Sequence, residues 1–302
     1  MVLLVAGFSA VTGHFLSATT ARSLANQAPD GLLLATGMTF VILTGGIDLS
    51  VGSVLGLAGA VFGVLIVRSG APLGVAVLGA VATGLLCGLV NGWVSVRWRL
   101  PSFIVTLAML EMARGATYLV TTSQTLYLGS AVDAITFAVA GGLGIPIFVA
   151  IAILAASQFV LRHVVFGRRI FAVGVNAEAA RLAGIDPGRI RIAVFAMSGA
   201  LSGAAAVTQA ARLSAADPNA GMGLELEAIA AVVIGGASLT GGRGSVISSA
   251  LGAVVMLVLG AGLAQMGVQE PTRRLVTGAV IVTAAVADQL RRRGSRVEAS
   301  VS

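Results

Sequence analysis

"LGVAVLGAVATGLLCGLVNGWVSV", residues 73–96, runs for 24 positions without a charged side chain and is followed by Arg97 and Arg99. About 20 apolar residues in a helix are enough to cross the hydrocarbon core of a bilayer, so the stretch reads as a membrane span. Within it Gly84, Gly88 and Gly92 recur at every fourth position, on one face of that helix. Small residues at this spacing let helix backbones approach closely in lipid. "GALSG" repeats the spacing at Gly199 and Gly203. The two small faces imply packing within the chain or, alternatively, contact between two subunits.

Composition extends this reading to the whole chain. Of 302 residues, 57% are hydrophobic and 10% charged, and the mean hydropathy is +0.99. A soluble domain carries about 25% charged residues, so the solvent for most of this surface is lipid. A coiled coil and a disordered chain are excluded on the same grounds. All 19 basic residues are arginine. Without a lysine, the chain cannot supply the phosphate-binding side chain of a Walker-type nucleotide site. A net charge of +7 ordinarily raises nucleic acid as a partner, but these arginines gather at the ends of apolar runs, which points to membrane orientation instead. Cys87 is the single cysteine, and His14 and His163 are the two histidines. An intrachain disulfide and a thiolate cluster are thereby excluded, and neither a metal nor a cofactor is expected.

The first residues, "MVLLVAGFSAVTGHFL", have no positive region before them, since the first arginine is Arg22. They read as a span rather than a signal peptide, with the expected start a few residues upstream. Apolar runs between polar breaks give about ten spans, in a range of about eight to eleven: 2–16, 31–45, 50–67, 73–96, 101–121, 143–161, 192–210, 226–240, 246–265 and 274–290. Several are short, which suits broken or half-length helices in a protein-lined interior. The expected fold is all-α, one polytopic membrane domain over 1–302, with a charged loop at 162–191. Placing that loop inside puts both termini in the cytoplasm. The inside then holds thirteen arginines: Arg97, Arg99, the six from Arg162 to Arg191, Arg243, Arg291, Arg292, Arg293 and Arg296. Five lie outside, namely Arg22, Arg68, Arg212, Arg273 and Arg274, while Arg114 lies within a span. This is the bias expected of a membrane protein in that orientation. Two stretches echo each other, "VILTGGIDLSVGSVLGLAG" (41–59) and "VVIGGASLTGGRGSVISSALG" (232–252). Each breaks an apolar run with Gly-Gly and a Ser/Thr-rich turn, as a repeated helix–break–helix unit would.

"GGAS" at 235–238 invites an intramembrane serine protease, but no histidine follows His163 and no lysine replaces it, so the serine has no base. Glu225 and Glu227 sit at a span entrance and read as a solvated edge. Glu111 and Arg114 are three apart in one span, where charges are costly unless paired. They are expected to bond to each other, the alternative being a lining of a pathway. Asp48 in "GGIDLS" is placed, with Ser50, to cap the helix restarting near Val51; a proton-coupling carboxylate is the alternative.

The charged loop looks folded. In "GVNAEAARLAGIDP", Asn176 is a good N-cap, Glu178 lies in the first turn, and Gly184 with Ile185 behind it suits a C-terminal cap. Pro187 blocks continuation. The expected helix, Ala177–Ala183, is only about two turns long and marginal alone in water. Ala179, Leu182 and Ala183 give it an apolar side; Glu178 and Arg181 give polar contacts. It reads as a dock for a soluble cytoplasmic partner or, alternatively, as a helix resting on lipid headgroups.

"GMTFVILTGGIDLSVGSVLGLAG", "LPSFIVTLAMLEMARG", "GRRIFAVGVNAEAARLAGI" and "ARLSAADPNAGMGLELEAIAAVVIGGASLTGGRGSV" together resemble the membrane permease subunits of ribose-type ABC sugar importers, over about residues 31–290 in the same motif order. The resemblance implies a non-catalytic subunit of a bacterial inner membrane, paired with a second copy, a cytoplasmic ATPase and an extracytoplasmic sugar-binding protein. It implies that Gly174, Asn176, Glu178, Ala179, Arg181, Leu182, Ala183, Gly184 and Ile185 form the segment that couples to the ATPase. It implies alternating access, with sugar delivered at the loops around 122–142 and 211–225. Ser50, Thr106, Ser238 and Thr240, with Asp48, are the residue types that would line a pathway for a neutral sugar. The competing expectations are a secondary transporter driven by an ion gradient and an importer of nucleosides or branched-chain amino acids; "GIDLSVGS" resembles the sugar branch more.

Overall fold

A computed structural model describes residues 1–12, 15–283 and 286. A short helix, α1 (Val2–Val11), precedes the long α2 (Ala18–Leu43), which starts where the Ser17 hydroxyl accepts the Thr20 N–H at 3.1 Å. The span expected at 31–45 is thus the second half of a longer helix. Arg22, Asn26, Gln27 and Asp30 interrupt the hydropathy but not the helix, and Pro29 is carried inside it, at the loss of one backbone donor. From Leu32 to Leu43 every residue of α2 is buried, the mark of a helix surrounded on all sides.

Around α2 stand α3 (Val51–Val67), α4 (Leu73–Arg97) and α5 (Ser102–Thr121). Next come a short strand β1 (Leu126–Tyr127), a 3-10 turn at Gly129–Val132, the single turn α6 (Asp133–Thr136) and a hairpin of β2 (Ala138–Ala140) and β3 (Leu143–Gly144). The chain continues through α7 (Ile145–His163), α8 (Val165–Val175), α9 (Ala177–Leu182), α10 (Pro187–Leu213), β4 (Ala215–Ala216), α11 (Leu224–Ile234) and α12 (Val246–Gln265). Among the described residues, α4, α5, α7, α10 and α12 are long and apolar enough to cross a bilayer, and α3 is apolar but shorter. The outward faces of α4, α5 and α7 expose Leu78, Leu86, Leu107, Leu119, Ile151 and Phe159, as lipid-facing helices do. The chain is an all-α polytopic membrane protein. Helical backbone over 270–283 covers the start of the span expected at 274–290. The rest of that span, His14, Arg291, Arg292, Arg293 and Arg296 lie outside the described residues.

The small faces of α4 and α10 pack on each other. A Cβ added at Gly84 would meet the Gly199 carbonyl, and one at Gly199 would meet the Gly84 carbonyl; Gly88 lies against Phe195 O, Gly92 against Ile192 and Gly203 against Ala80 O. The four-residue spacing thus serves contact within the chain.

Both echoing stretches are helix–break–helix units, α2–α3 and α11–α12, and the two breaks touch. The Gly242 N–H donates to Leu43 O at 2.9 Å. Gly174, near the end of α8, fits where any Cβ would strike Leu43 O and Gly242 N.

The helix ends define two ends of the bundle. One carries α8, α9, the α4–α5 turn and the α11–α12 loop. It holds Arg97, Arg99, Arg162, Arg168, Arg169, Arg181, Arg189, Arg191 and Arg243. The opposite end carries loops 122–144 and 214–223, tied by the antiparallel pairing Leu126↔Ala216 and Tyr127↔Ala215.

Candidate functional site

Helix α9 is built as a projection. Asn176 Oδ1 accepts the Glu178 and Ala179 N–H groups, both at 3.0 Å, which satisfies two of the donors a helix start leaves unpaired. At the other end the Ile185 N–H reaches back to Ala180 O at 3.0 Å, and the Gly184 N–H to Arg181 O at 3.0 Å. Gly184 takes φ +80° to make that reversal, the left-handed conformation glycine adopts without strain. The helix ends at Leu182, with Ala183 as its C-cap. Ala180 is buried against the cluster of Phe40, Val41, Leu161, Ile170 and Phe195, and this pins α9 to the bundle. Ala179, Leu182 and Ala183 face outward, Leu182 being 82% exposed. Glu178 and Arg181 pair at 2.6 Å across the exposed surface. Behind α9 a cleft of about 690 Å³ reaches the α2–α3 break and is lined by Arg99, Arg181 and Arg191 as well as Glu178.

Asp48, Ser50 and Thr106 are brought together, all of them buried. Asp48 Oδ1 accepts from the Ser50 N–H at 3.0 Å and the Ser50 hydroxyl at 2.6 Å; Asp48 Oδ2 accepts from Ser198 Oγ of α10 at 3.1 Å. Asn91 of α4 donates to Ser50 Oγ at 2.9 Å. From α5, Ser102 Oγ accepts the Ile47 N–H and Thr106 Oγ1 the Leu49 N–H, each at 3.0 Å. Backbone N–H groups that the unwound segment leaves without helical partners are met by two side chains of α5 and by Asp48 itself, and side chains of α4 and α10 hold Ser50 and Asp48 in place, the condition for irregular backbone at membrane depth. The capping expectation is corrected in detail: Ser50 is the N-cap residue of α3, but neither side chain bonds to the first turn of that helix. Asp48 closes the turn before it. Ser102, Asn91 and Ser198 were missed by sequence reasoning, because nothing local links them to residues 47–50.

Ser238 and Thr240 lie elsewhere, in the α11–α12 loop, with their hydroxyls 2.8 Å apart. The ion pair expected between Glu111 and Arg114 does not form. Arg114 turns away, and its Nη1 donates to Pro218 O at 3.0 Å and Ala220 O at 2.8 Å. Two carbonyls of loop 214–223, more than a hundred residues away, outcompete the neighbour on the same helix. Glu111 is left exposed near the middle of α5 and makes no ion pair among the described residues.

One buried pair was not foreseen. Arg212 Nη2 lies 2.6 Å from Asp30 Oδ2, and Thr208 Oγ1 donates to Asp30 Oδ1 at 2.6 Å. Asp30 lies just before the expected span, and nothing local in the sequence links it to Arg212.

Comparison with known proteins decides the family. The model of the "Branched-chain amino acid transport system / permease component" family matches residues 20–285. The ribose import permease protein RbsC of Escherichia coli (strain K12) is 37% identical over 293 residues, covering 95% of this chain and 91% of the relative. This chain belongs to the ABC importer permeases. The xylose transport system permease protein XylH of Escherichia coli (strain K12) is 35% identical over 345 residues, 94% of this chain and 88% of the relative. The L-arabinose ABC transporter permease protein AraH of Azospirillum brasilense is 37% identical over 294 residues, 93% of this chain and 85% of the relative. No solved structure matches. As a permease the chain is a non-catalytic subunit.

Proposed function

We propose that this permease carries a monosaccharide of the ribose, xylose and arabinose class across a bacterial inner membrane. It works as a pair of identical copies, with α9 docked on a cytoplasmic ATPase and the opposite end facing a sugar-binding protein. The observation that carries the docking is α9 itself. Six residues would not stay helical alone, yet this helix is capped at both ends, pinned by Ala180 and turned so that Ala179, Leu182 and Ala183 face out. The arginine excess at the same end supports a cytoplasmic location for it and for both termini. Sugar names on three relatives support the substrate class over amino acids.

Pairing is supported by Glu111. A carboxylate facing lipid at mid-membrane is costly, and intramembrane charges face protein or water-filled space. The α5 face bearing Ala108, Glu111 and Gly115 therefore lies along the path between two copies. Asp48, Ser50 and Thr106 spend their hydrogen bonds on holding the α2–α3 break, so their part is to position that break beside the path. Ser238 and Thr240 brace the second break in the same way.

The test is at Leu182. Burying a leucine side chain is worth roughly 1.5–3 kcal/mol, so Leu182→Asp is expected to weaken ATPase association by about tenfold or more. Insertion is expected to be unchanged, because the side chain stands exposed at the end of the bundle and not among its packed helices. The assay is co-purification of the ATPase with the permease in detergent. Full retention of ATPase by Leu182→Asp makes α9 a membrane-surface helix. An ion-gradient transporter is refuted separately if reconstituted permease moves no sugar without the ATPase.

A further inference from the structure

Between α2, α10, α11 and α12, on the side away from α9, lies a partly enclosed cavity of about 170 Å³. It is room for several waters, each occupying ~30 Å³ in the liquid, or for one small solute. One wall is polar: the Asp30–Arg212 pair, Gln209, and at the mouth Gln27 and Glu227. The other wall is aliphatic, with Leu224, Ala228, Ala231, Ala253, Met256 and Leu257. Two residues of the polar wall carry a buried atom with no hydrogen bond among the described residues, Gln209 at Oε1 and Arg212 at Nε. They are of opposite sense, one an acceptor and one a donor. Buried polar groups are paired as a rule, so whatever occupies the cavity must donate and accept at neighbouring points.

The charges restrict the choice. Arg212 already faces Asp30, and Glu227 adds a second carboxylate, so the lining is acidic by one and repels an anion. The aliphatic wall disfavours a bare cation. We propose that each permease copy holds here a neutral polyhydroxylated solute, a monosaccharide of the transported class. One hydroxyl donates to Gln209 Oε1, a neighbouring one accepts from Arg212 Nε, and the C–H face lies on the aliphatic wall. The inference rests on the sugar-permease reading for its substrate class. The site is separate from the α5 face, since no residue of α5 lines it.

The experiment uses the full-length permease in lipid nanodiscs and saturation-transfer NMR, which registers weak binding, with D-ribose, D-xylose and L-arabinose as probes. At least one pentose is expected to bind saturably. Gln209→Leu is expected to weaken that binding about tenfold or more, and succinate is expected not to displace the sugar. Leu78→Ala, on the outward face of α4 and away from the cavity, is expected to bind as wild type does. Should Gln209→Leu fail to fold, Ala253→Leu narrows the cavity from α12 without touching a polar group and is expected to lose binding likewise. No saturable pentose binding, equal binding by Gln209→Leu or Ala253→Leu, or displacement by succinate overturns the site. Import by the complete system is measured in parallel. If it carries a pentose while these results go against the site, the site alone is wrong; if it carries none of the three, the permease's assigned substrate class is wrong instead.

Discussion

Gly84→Ala and Gly199→Ala test the close contact between α4 and α10. At each position the new methyl group would run into the other residue's carbonyl oxygen, whereas relaxed C···O contacts sit near ~3.3–3.6 Å. No side chain can swing aside, because the obstacle is backbone on both sides. The helices must part by about an ångström, and a gap of ~0.5–1 Å forfeits a quarter to a half of each dispersion contact along the seam. Overpacking of this kind costs about 1–3 kcal/mol. In the opposite direction, alanine is favoured over glycine inside a helix by about 0.5–1 kcal/mol, so the net loss is roughly 0–2.5 kcal/mol. Gly115 and Gly260 supply the control, since nothing lies within 4 Å of a Cβ added to either; Gly115→Ala and Gly260→Ala are expected to be neutral or stabilising. Once one methyl has separated the helices the second has less to displace, so the double variant should cost less than the sum, with a coupling of about 0.5 kcal/mol or more. Thermal unfolding in detergent reads all five proteins on one scale. If Gly84→Ala and Gly199→Ala melt with Gly115→Ala, the α4–α10 seam is not the constraint described above.

Arg114→Met removes two charge-assisted bonds worth about 1.5–3 kcal/mol each, so loop 214–223 is expected to become protease-sensitive, whereas Glu111→Gln should leave folding unchanged and alter transport; equal loss of folded yield in both would restore the ion pair. Asp48→Ala deletes three hydrogen bonds at about 1 kcal/mol each and is expected to lower thermal stability more than Asp48→Asn, which keeps an acceptor. Equal midpoints for the two would mean that the α2–α3 break does not depend on that side chain. With Cys87→Ala as background, single cysteines at Arg168 and Arg189 should resist an impermeant thiol reagent in intact cells and those at Asp133 and Asn219 should react, the reverse pattern inverting the orientation.

What could be read from the chain depended on how local each feature is. The caps of α9 were legible because Asn176, Gly184 and Pro187 act within a few residues of themselves. The paired Gly-Gly breaks were legible as an echo, and both unwind the chain where expected. The glycine spacings at 84–92 and 199–203 announced close packing but not that the two faces meet, since spacing carries no address. Non-local competition decided the rest. Arg114 had an ideal neighbour three residues away and took two loop carbonyls instead. Asp30 and Arg212, 182 positions apart, were invisible as a pair. The start of the second span was misjudged because Arg22, Asn26, Gln27 and Asp30 interrupt the hydropathy, whereas α2 keeps its helical bonds through them and Asp30 is buried against α10.

At Gly174, Leu43 and Gly242 three segments meet backbone to backbone, with no side chain between them. In a machine this is a joint without a gasket. A leucine or methionine at such a place could absorb a small displacement by changing rotamer; carbonyls and amides in direct contact cannot. A movement imposed on α9 would therefore reach, three residues upstream of its first turn, the end of α2 and the loop between α11 and α12 at once, with little backlash. The same property leaves no small adjustment available there, since even a methyl group on Gly174 would have to force apart three backbone segments already in contact.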